Sequence, residues 1–388
     1  MISPKRCWAE IDLGALRHNA GVVRRQIGPR PKIMAIVKAN GYGHGVENVA
    51  QALFGNASRN PKNATYADLP PVVEMFGVAN LREAVQLGEI ADPSRVFILG
   101  AALPFEREEI VRRGFVVTIS SLEEALAYDE LSQRLCKPSL GQKVHLVVDS
   151  GMGRMGAWKE ESVELARQVL SQTKLRLLGV ATHLPVPDED EDFTQKELRS
   201  FELIVNDLEQ NGVARPLVHS LNSAGVIRFA EHASDMVRVG LMLYGCSPVP
   251  EFQEKLKPVM ALKTRVTLVR EIPAGRGISY GRTFITQAPT KVATLAIGYA
   301  DGYQRALSNK GTDVLIGGKR CKVLGRVTMD QIMADVTDVP GVDCGSEAVL
   351  IGQQGGEQIF ASELAEKAGT ISWEIFTGIK NRVERVYI

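Results

Sequence analysis

The sequence predicts an α/β protein: an N-terminal (β/α)8 TIM-like barrel followed by a C-terminal, mostly antiparallel β domain. Three observations carry this expectation. Short Val- and Ile-rich runs recur eight times before about residue 244, each apolar on both faces, as a parallel strand covered by helices must be. Longer stretches with helical period lie between them. Beyond that point most gaps between strand-like runs are too short to hold a helix. A chain of 388 residues suits one barrel plus a smaller module. The expected boundaries are 12–244 for the barrel and 245–388 for the β domain, with residues 1–11 packing with the latter. A doubly wound open sheet is the alternative, and eight strand–helix repeats favour the barrel.

The expected barrel strands are Ile33–Lys38, Glu74–Ala79, Val96–Gly100, Phe115–Ile119, Val144–Asp149, Leu177–Thr182, Leu217–Leu221 and Met236–Leu241. Leu13, Leu16, Ala20, Val23 and Ile27 are spaced three or four apart and form one apolar helical stripe. Thr194 and Glu197 resemble a capping box ahead of Leu198, Phe201, Ile204 and Leu208, and Asn211-Gly212 supplies a left-handed stop. Gly55–Pro71 is polar and contains three prolines, which reads as a surface insertion on the non-catalytic face of the barrel. In the second part Leu262–Arg270, Lys291–Ile297, Asp313–Ile316, Cys321–Val327 and Ala348–Ile351 read as strands. Gly317-Gly318 marks a hairpin, a helix is expected near Ser362–Ala368, and a last strand near Val383–Ile388.

Composition removes several function classes. Lys+Arg 46 against Asp+Glu 45 gives no electrostatic reason to expect nucleic acid or an anionic membrane as partner. Five scattered cysteines contain no CxxC or Cys/His cluster, so neither a zinc site nor a disulfide framework is indicated. No run approaches the apolar length of a membrane span, and the first residues do not form a signal peptide. A cytoplasmic enzyme is the expectation.

Barrel enzymes carry their chemistry at the carboxyl ends of the strands. The first strand ends in Lys38, followed by Ala39-Asn40-Gly41-Tyr42-Gly43-His44-Gly45. Desolvation at a strand end makes a lysine a better nucleophile, the property needed to condense with a carbonyl. A snorkelling lysine is the plainer reading, and the glycine-rich tail, which admits close approach of a ligand, weighs against it. The fifth strand runs into Asp149-Ser150-Gly151-Met152-Gly153-Arg154-Met155-Gly156. Three glycines around one arginine suggest a turn presenting a guanidinium to a carboxylate. The sixth strand ends in Thr182-His183, where a structural histidine and a local functional one are equally good readings. The acidic loop Asp188–Asp192 reads as a solvated connection, since its carboxylates have no His or Cys partner nearby. Asn222-Ser223 follows the seventh strand, and the eighth carries Arg238-Val239-Gly240-Leu241. Loops after these two strands are where such barrels bind phosphate, and Ser223 fits that role as well as a helix cap.

Taken in order, VKANGYGHG, DSGMGRMG, ATH, NSAG, VRVGLMLYG, ISYGRTF, IGYADGY and VTMDQ resemble the motifs of alanine racemases, and RVERVYI resembles that family's C-terminal end. The resemblance covers nearly the whole chain. It implies pyridoxal 5'-phosphate (PLP) as cofactor, a small amino acid as substrate, interconversion of L- and D-alanine, and a homodimer whose active sites are shared between subunits. Lys38 matches the lysine that holds the cofactor covalently and acts as one base; Tyr280 matches the second base, supplied by the partner. Tyr42, Ser223, Gly240 and Leu241 match phosphate contacts, and Asn222 and Trp373 complete the cofactor-binding set. Arg238 matches the arginine facing the pyridine nitrogen, with His183 as its hydrogen-bonded neighbour. Arg154 matches a contact to the cofactor's phenolic oxygen and the substrate carboxylate. Met329, through its backbone N–H, and Asp330 match partner residues at that carboxylate, and Tyr299 resembles part of the entryway. Supply of D-alanine for a cell wall is what the family implies about purpose.

The chemistry accounts for this set. Racemisation removes a proton from one face of the α-carbon and returns one to the other, which requires an electron sink and two opposed acid/base groups. An arginine at the ring nitrogen does not favour its protonation, which weakens the sink and suits racemisation better than transamination. Three positions depart from the pattern. Val147 stands where many relatives have a carbamylated lysine bracing the arginine at 154. Thr328 replaces a common cysteine. Trp373 replaces a usual tyrosine and lacks its hydroxyl. Competing readings are a racemase for serine, lysine or a broader set of amino acids, a non-catalytic PLP-binding regulator of barrel type, and a basic-amino-acid decarboxylase. The presence of Tyr280 and Met329 in a second domain argues against the regulator. The cysteine and carboxylate-recognition pattern of the decarboxylases is not found.

Overall fold

The computed structural model describes residues 5–55, 70–135 and 141–388. The insertion expected at Gly55–Pro71 lies almost wholly outside them. The chain divides into two compact units: one takes Leu16–Gly41 and Val46–Leu256, the other the chain up to Ala15, Tyr42–Gly45 and Lys257–Ile388.

A strand β1 (Cys7–Ile11) belongs to the second unit. The first unit contains β2 (Lys32–Ile36), β3 (Met75–Val78), β4 (Val96–Ile98), β5 (Val116–Ile119), β6 (Lys143–Asp149), β7 (Arg176–Ala181), β8 (Leu217–His219) and β9 (Met236–Val239). All eight expected runs are strands. From β2 to β8 they pair in parallel in sequence order, and β9 pairs in parallel with β2. Between β8 and β9 the N–H of Asp235 donates to Val218 O (3.1 Å) and that of Arg238 to Leu221 O (2.9 Å), which nearly closes the ring. The apolar runs are buried as expected: Ile33, Phe76, Val96, Val144, Val180 and Val237 are all inaccessible to solvent. Each such side chain contributes about 1.5–3 kcal/mol relative to exposure. In the helix Leu13–Ile27 the predicted stripe is buried along its length.

One local expectation is corrected. The long helix spans Glu191–Gln210 and is capped by Asp190, whose carboxylate accepts the Phe193 N–H, and not by Thr194. Thr194 lies inside the first turn, and its hydroxyl donates to Val186 O at 3.3 Å. Aspartate is at least as good an N-cap as threonine, so the acidic loop supplies the start signal. The stop is as expected, with Gly212 left-handed at φ 83°.

The second unit is built on a long strand, β10 (Met260–Ile272), with β11 (Thr290–Leu295), β12 (Asp313–Ile316), β13 (Lys319–Leu324), β14 (Ile332–Asp335), β15 (Glu347–Gln354), β16 (Glu357–Ile359) and β17 (Glu384–Tyr387). Strand β10 pairs antiparallel with β1, β11 and β15. A register shift between Val266 and Leu268 marks an irregularity in its pairing with β11. The Gly317-Gly318 hairpin joins β12 to β13, with both glycines at positive φ. The last strand runs parallel to β1, an exception in a mostly antiparallel sheet. Helices cover Ala361–Ala368, as expected, and Ser372–Gly378, a short element with no clear signal in the sequence.

Candidate active site

In the barrel unit the backbone itself sets the geometry around Lys38. Immediately after it Ala39 (φ 52°, ψ 50°), Asn40 (φ 56°, ψ 46°) and Gly41 (φ 63°, ψ 46°) are all left-handed, and Tyr42 follows at φ 51°. Such backbone costs an L-residue roughly 1–2 kcal/mol, and strain of this kind collects at functional sites. Burial, and then the nearby Arg154 guanidinium, push the Lys38 amine below the usual lysine range, while Glu83 opposes them. The direction is that of a nucleophilic, proton-accepting amine.

Arg154 sits on a turn tied down by one carboxylate. Asp149 Oδ1 accepts the N–H groups of Gly151 (3.1 Å) and Gly153 (3.0 Å), and Oδ2 accepts that of Arg154 (3.0 Å). The Arg154 guanidinium is exposed and makes no hydrogen bond or ion pair among the described residues. With valine at 147 the chain offers no bracing lysine there.

Arg238, buried on β9, is held by carbonyls and an imidazole rather than by a carboxylate. Its Nη1 donates to His219 O (2.8 Å) and His219 Nδ1 (2.6 Å), and its Nη2 to Thr182 O (2.5 Å) and Ser220 O (3.0 Å). The expected partner His183 lies at 3.4 Å from Nη2, so His219 is the closer of the two histidines. His219 Nε2 meets His145 Nδ1 at 2.8 Å. Because arginine can only donate, His219 Nδ1 accepts, so its Nε2 carries the proton and donates to His145. Burial, with Arg238 next in weight, lowers His145 to about 3 and holds His219 well below the usual range. Burial, followed by Arg238, Arg154 and Lys38, lowers His183 to about 3. Burial and Arg154 bring Arg238 itself down to about 10. Lys38, Arg154 and Arg238 therefore act on one another and on His183 as a positive field, which favours the neutral imidazole.

The loops after β8 and β9 are joined through Ser223. Its Oγ accepts the N–H of Gly240 (3.1 Å) and, at 3.5 Å, that of Met242. Asn222 caps the helix Ser223–Arg228 by accepting the Gly225 N–H (3.0 Å), and its amide donates to Leu184 O (3.2 Å). Gly240 and Leu241 are buried. The cap reading of this region is thus realised by Asn222, which leaves Ser223 as a hydroxyl beside backbone N–H groups.

The remaining predicted residues lie in the second unit. Tyr42 is buried and raised to about 12 by desolvation, and the Trp373 side chain hydrogen-bonds it. The indole N–H is the donor available for this bond, so tryptophan at 373 engages a tyrosine hydroxyl although it lacks its own. Gly43, at φ 79°, approaches helix Ser372–Gly378 so closely that a Cβ would lie 2.3 Å from Phe376 O. Tyr280 is presented at the tip of a short ribbon pairing Gly277–Ile278 with Phe284–Ile285. It is 71% exposed, and its turn is pinned by Ser279, whose hydroxyl donates to Arg326 O at 2.6 Å.

Met329 and Asp330 occupy a turn locked to the IGYADGY segment. The N–H groups of Tyr299 and Ala300 donate to Thr328 O and Met329 O, both at 3.0 Å. A Cβ on Gly298 would lie 2.3 Å from each of Thr328 O and Met329 O. Buried Asp301 accepts the Gly298 N–H (2.9 Å) and pairs with Arg382 Nε (3.1 Å), and Arg382 Nη1 reaches Asp330 at 2.9 Å. The Met329 N–H has no acceptor among the described residues, and its side chain is exposed.

The sequence reading missed His145, His219, Glu83 and Arg382. A signal existed for the two histidines: each interrupts an apolar parallel strand, and a buried polar group there must find a partner. Glu83 and Arg382 carry no such mark.

The family model for the alanine racemase N-terminal domain matches residues 11–60 and 64–248, and that for the alanine racemase C-terminal domain matches residues 259–387. An alanine racemase of Halothermothrix orenii is 40% identical over 383 residues, covering 98% of this chain and 96% of its own. One of Carboxydothermus hydrogenoformans is also 40% identical, over 98% of this chain and 99% of its own. The solved alanine racemase of Clostridium difficile superposes with a TM-score of 0.88 at 31% identity, covering 100% of this chain and 97% of that one. With both family models matching and the fold shared end to end, this chain belongs to the alanine racemase family.

Proposed function

We propose that the protein interconverts L- and D-alanine with PLP held on Lys38. The observation that carries this reading is the cluster of three cationic side chains, Lys38, Arg154 and Arg238, around the neutral His183. No carboxylate among the described residues forms an ion pair with Arg154 or Arg238, and Glu83 acts on the Lys38 amine only through its field. Gathering like charges around a buried arginine without a paired counter-charge is costly. A phosphorylated, phenolic cofactor together with a carboxylate substrate would supply the anions. The donor set of the barrel unit fits PLP: Lys38 for its carbonyl, Ser223 with the Gly240–Leu241 backbone for its phosphate, and Arg238 for its ring nitrogen. Asn222 shapes the phosphate loop, and Trp373 orients Tyr42. When bound, PLP supplies the electron sink that makes the α-proton of an amino acid removable.

The chain's own residues do the rest. Lys38 takes the α-proton of the D-amino acid and returns it in the reverse direction. Tyr280 does so for the L-amino acid from the opposite face. Arg154 and the Met329 N–H bind the substrate carboxylate, with Asp330 and Arg382 fixing the Met329 turn. His219 and His145 remain neutral and keep the Arg238 plane in place. Tyr280, Met329 and Asp330 serve the partner's barrel in a cytoplasmic homodimer, a reading supported by the exposure of Tyr280 and Met329. Among the described residues no helix is long and apolar enough to cross a membrane.

The test is exchange of the α-proton in heavy water with L- and D-alanine, with and without PLP. Exchange and racemisation of both enantiomers with PLP are expected; absence of both at saturating PLP would overturn the proposal. Serine and lysine as alternative substrates decide its breadth.

A further inference from the structure

The left-handed turn after Lys38 needs restraint, and three hydrogen bonds provide it. Within the turn, Gly41 N–H donates to Val37 O at 2.8 Å. At its far side Asn40 Oδ1 accepts the Val46 N–H at 2.9 Å. At its near side Glu83 Oε1 accepts the Ala39 N–H at 2.8 Å. The other oxygen of Glu83 accepts the Ala79 N–H at 2.8 Å, just beyond the end of β3. Glu83 is itself fixed in the first turn of helix Leu81–Gly88, where Asn80 Oδ1 accepts its N–H. Reaching back to the chain ahead of the cap is close to what a capping-box glutamate does for its own helix. The bond to Ala39 is additional: it crosses 44 residues of sequence to the peptide directly after Lys38.

We infer that Glu83 is a positioning residue for Lys38: its carboxylate anchors the left-handed turn that aims the amine, and its charge faces that amine across the turn. Glu83 has this role on the reading of Lys38 as the cofactor-bearing base. The groups facing Lys38 are Arg154, His183 and Glu83. Arg154 favours the neutral amine and Glu83 the protonated one, so the two act in opposite senses on the proton that Lys38 must accept and release. Glu83 touches neither substrate nor cofactor in this scheme. It acts through the Ala39 peptide and through its field.

Glu83→Gln tests this. The amide keeps the size of the side chain but has one acceptor oxygen where two N–H groups need one each, and it removes the charge. Three quantities are measured: kcat and KM of the PLP-loaded variant for both alanine enantiomers; the pH midpoint of Lys38 acetylation by acetic anhydride in the cofactor-free full chain, read by mass spectrometry; and the thermal midpoint. The expected result is a kcat about ten- to a hundredfold lower, KM within about twofold, and a labelling midpoint moved to lower pH, since loss of the negative charge favours the neutral amine. Glu83→Asp retains the charge with a shorter reach, so its labelling midpoint stays with the wild type while kcat falls. Unchanged kcat in both variants, or a loss that follows the thermal midpoint with the labelling midpoint unmoved, overturns the inference and leaves Glu83 a helix cap. Should the wild-type chain fail to hold PLP on Lys38, the underlying reading of the site fails instead, a result visible before any variant is made.

Discussion

The two residues proposed to move the α-proton differ in character. Lys38 is part-buried, flanked by strained backbone and placed between the opposed charges of Arg154 and Glu83; Tyr280 is exposed on a pinned ribbon tip. Lys38→Ala is expected to abolish covalent attachment of PLP, seen as loss of the absorbance of the lysine-bound cofactor; retention of that band would assign the cofactor to another lysine. Tyr280→Phe should keep PLP bound and lower racemisation by about a hundredfold or more. A near-normal rate in both directions would remove Tyr280 from the mechanism. Lys38 is legible in the sequence because it closes an apolar run and a glycine-rich run follows it, although the strand itself stops at Ile36. Tyr280 is legible only through its motif, since an exposed tyrosine in a short ribbon has no periodicity to mark it. Trp373 is legible as a departure, but not its bond to Tyr42, which depends on a helix the sequence does not announce.

Among the secondary-structure elements, the contact between the IGYADGY and VTMDQ segments has the sharpest consequence. Gly298 leaves no space for a side chain, and the backbone bonds from Tyr299 and Ala300 set the position of Thr328 and Met329. Gly298→Ala should displace that turn, costing about 1–3 kcal/mol in stability and raising KM for alanine about tenfold with a smaller change in kcat. Thermal unfolding and steady-state kinetics check this; wild-type KM in the folded variant would show that the Met329 turn does not bind the substrate. The sequence displays both motifs but not their meeting, because the hairpin of β12 and β13 lies between them in the chain. The cap at Asp190 is hidden for a similar reason: aspartate and threonine both serve as caps, and the choice depends on where the preceding chain turns.

For the molecule as a whole, the buried histidines predict how stability follows pH. His145 and His183 are lowered to about 3, and His219 lies well below its usual range. In the unfolded chain each titrates at about 6.5. Below that pH the unfolded state binds protons that the folded state refuses, so stability is lost as pH falls from about 6.5 toward about 3. The slope approaches about 1.4 kcal/mol per pH unit for each histidine. Urea unfolding at pH values of about 7 and about 5 should show this loss, and His145→Asn should reduce the slope relative to wild type. An unchanged slope would mean that His145 is protonated in the folded protein.

Architecture and rim could be read along the chain alone, because period and apolarity are local properties. Eight parallel strands, the hairpin at Gly317-Gly318 and the positions of Lys38, Arg154, Ser223 and Arg238 at or just after strand ends all carry such local marks. The surroundings of those residues depend on folding: the neutral histidine chain under Arg238 and the carboxylate of Glu83 on the Ala39 peptide. These contacts join side chains that sheet closure and backbone strain bring together, across separations at which no local pattern survives. They give the rim its electrostatics.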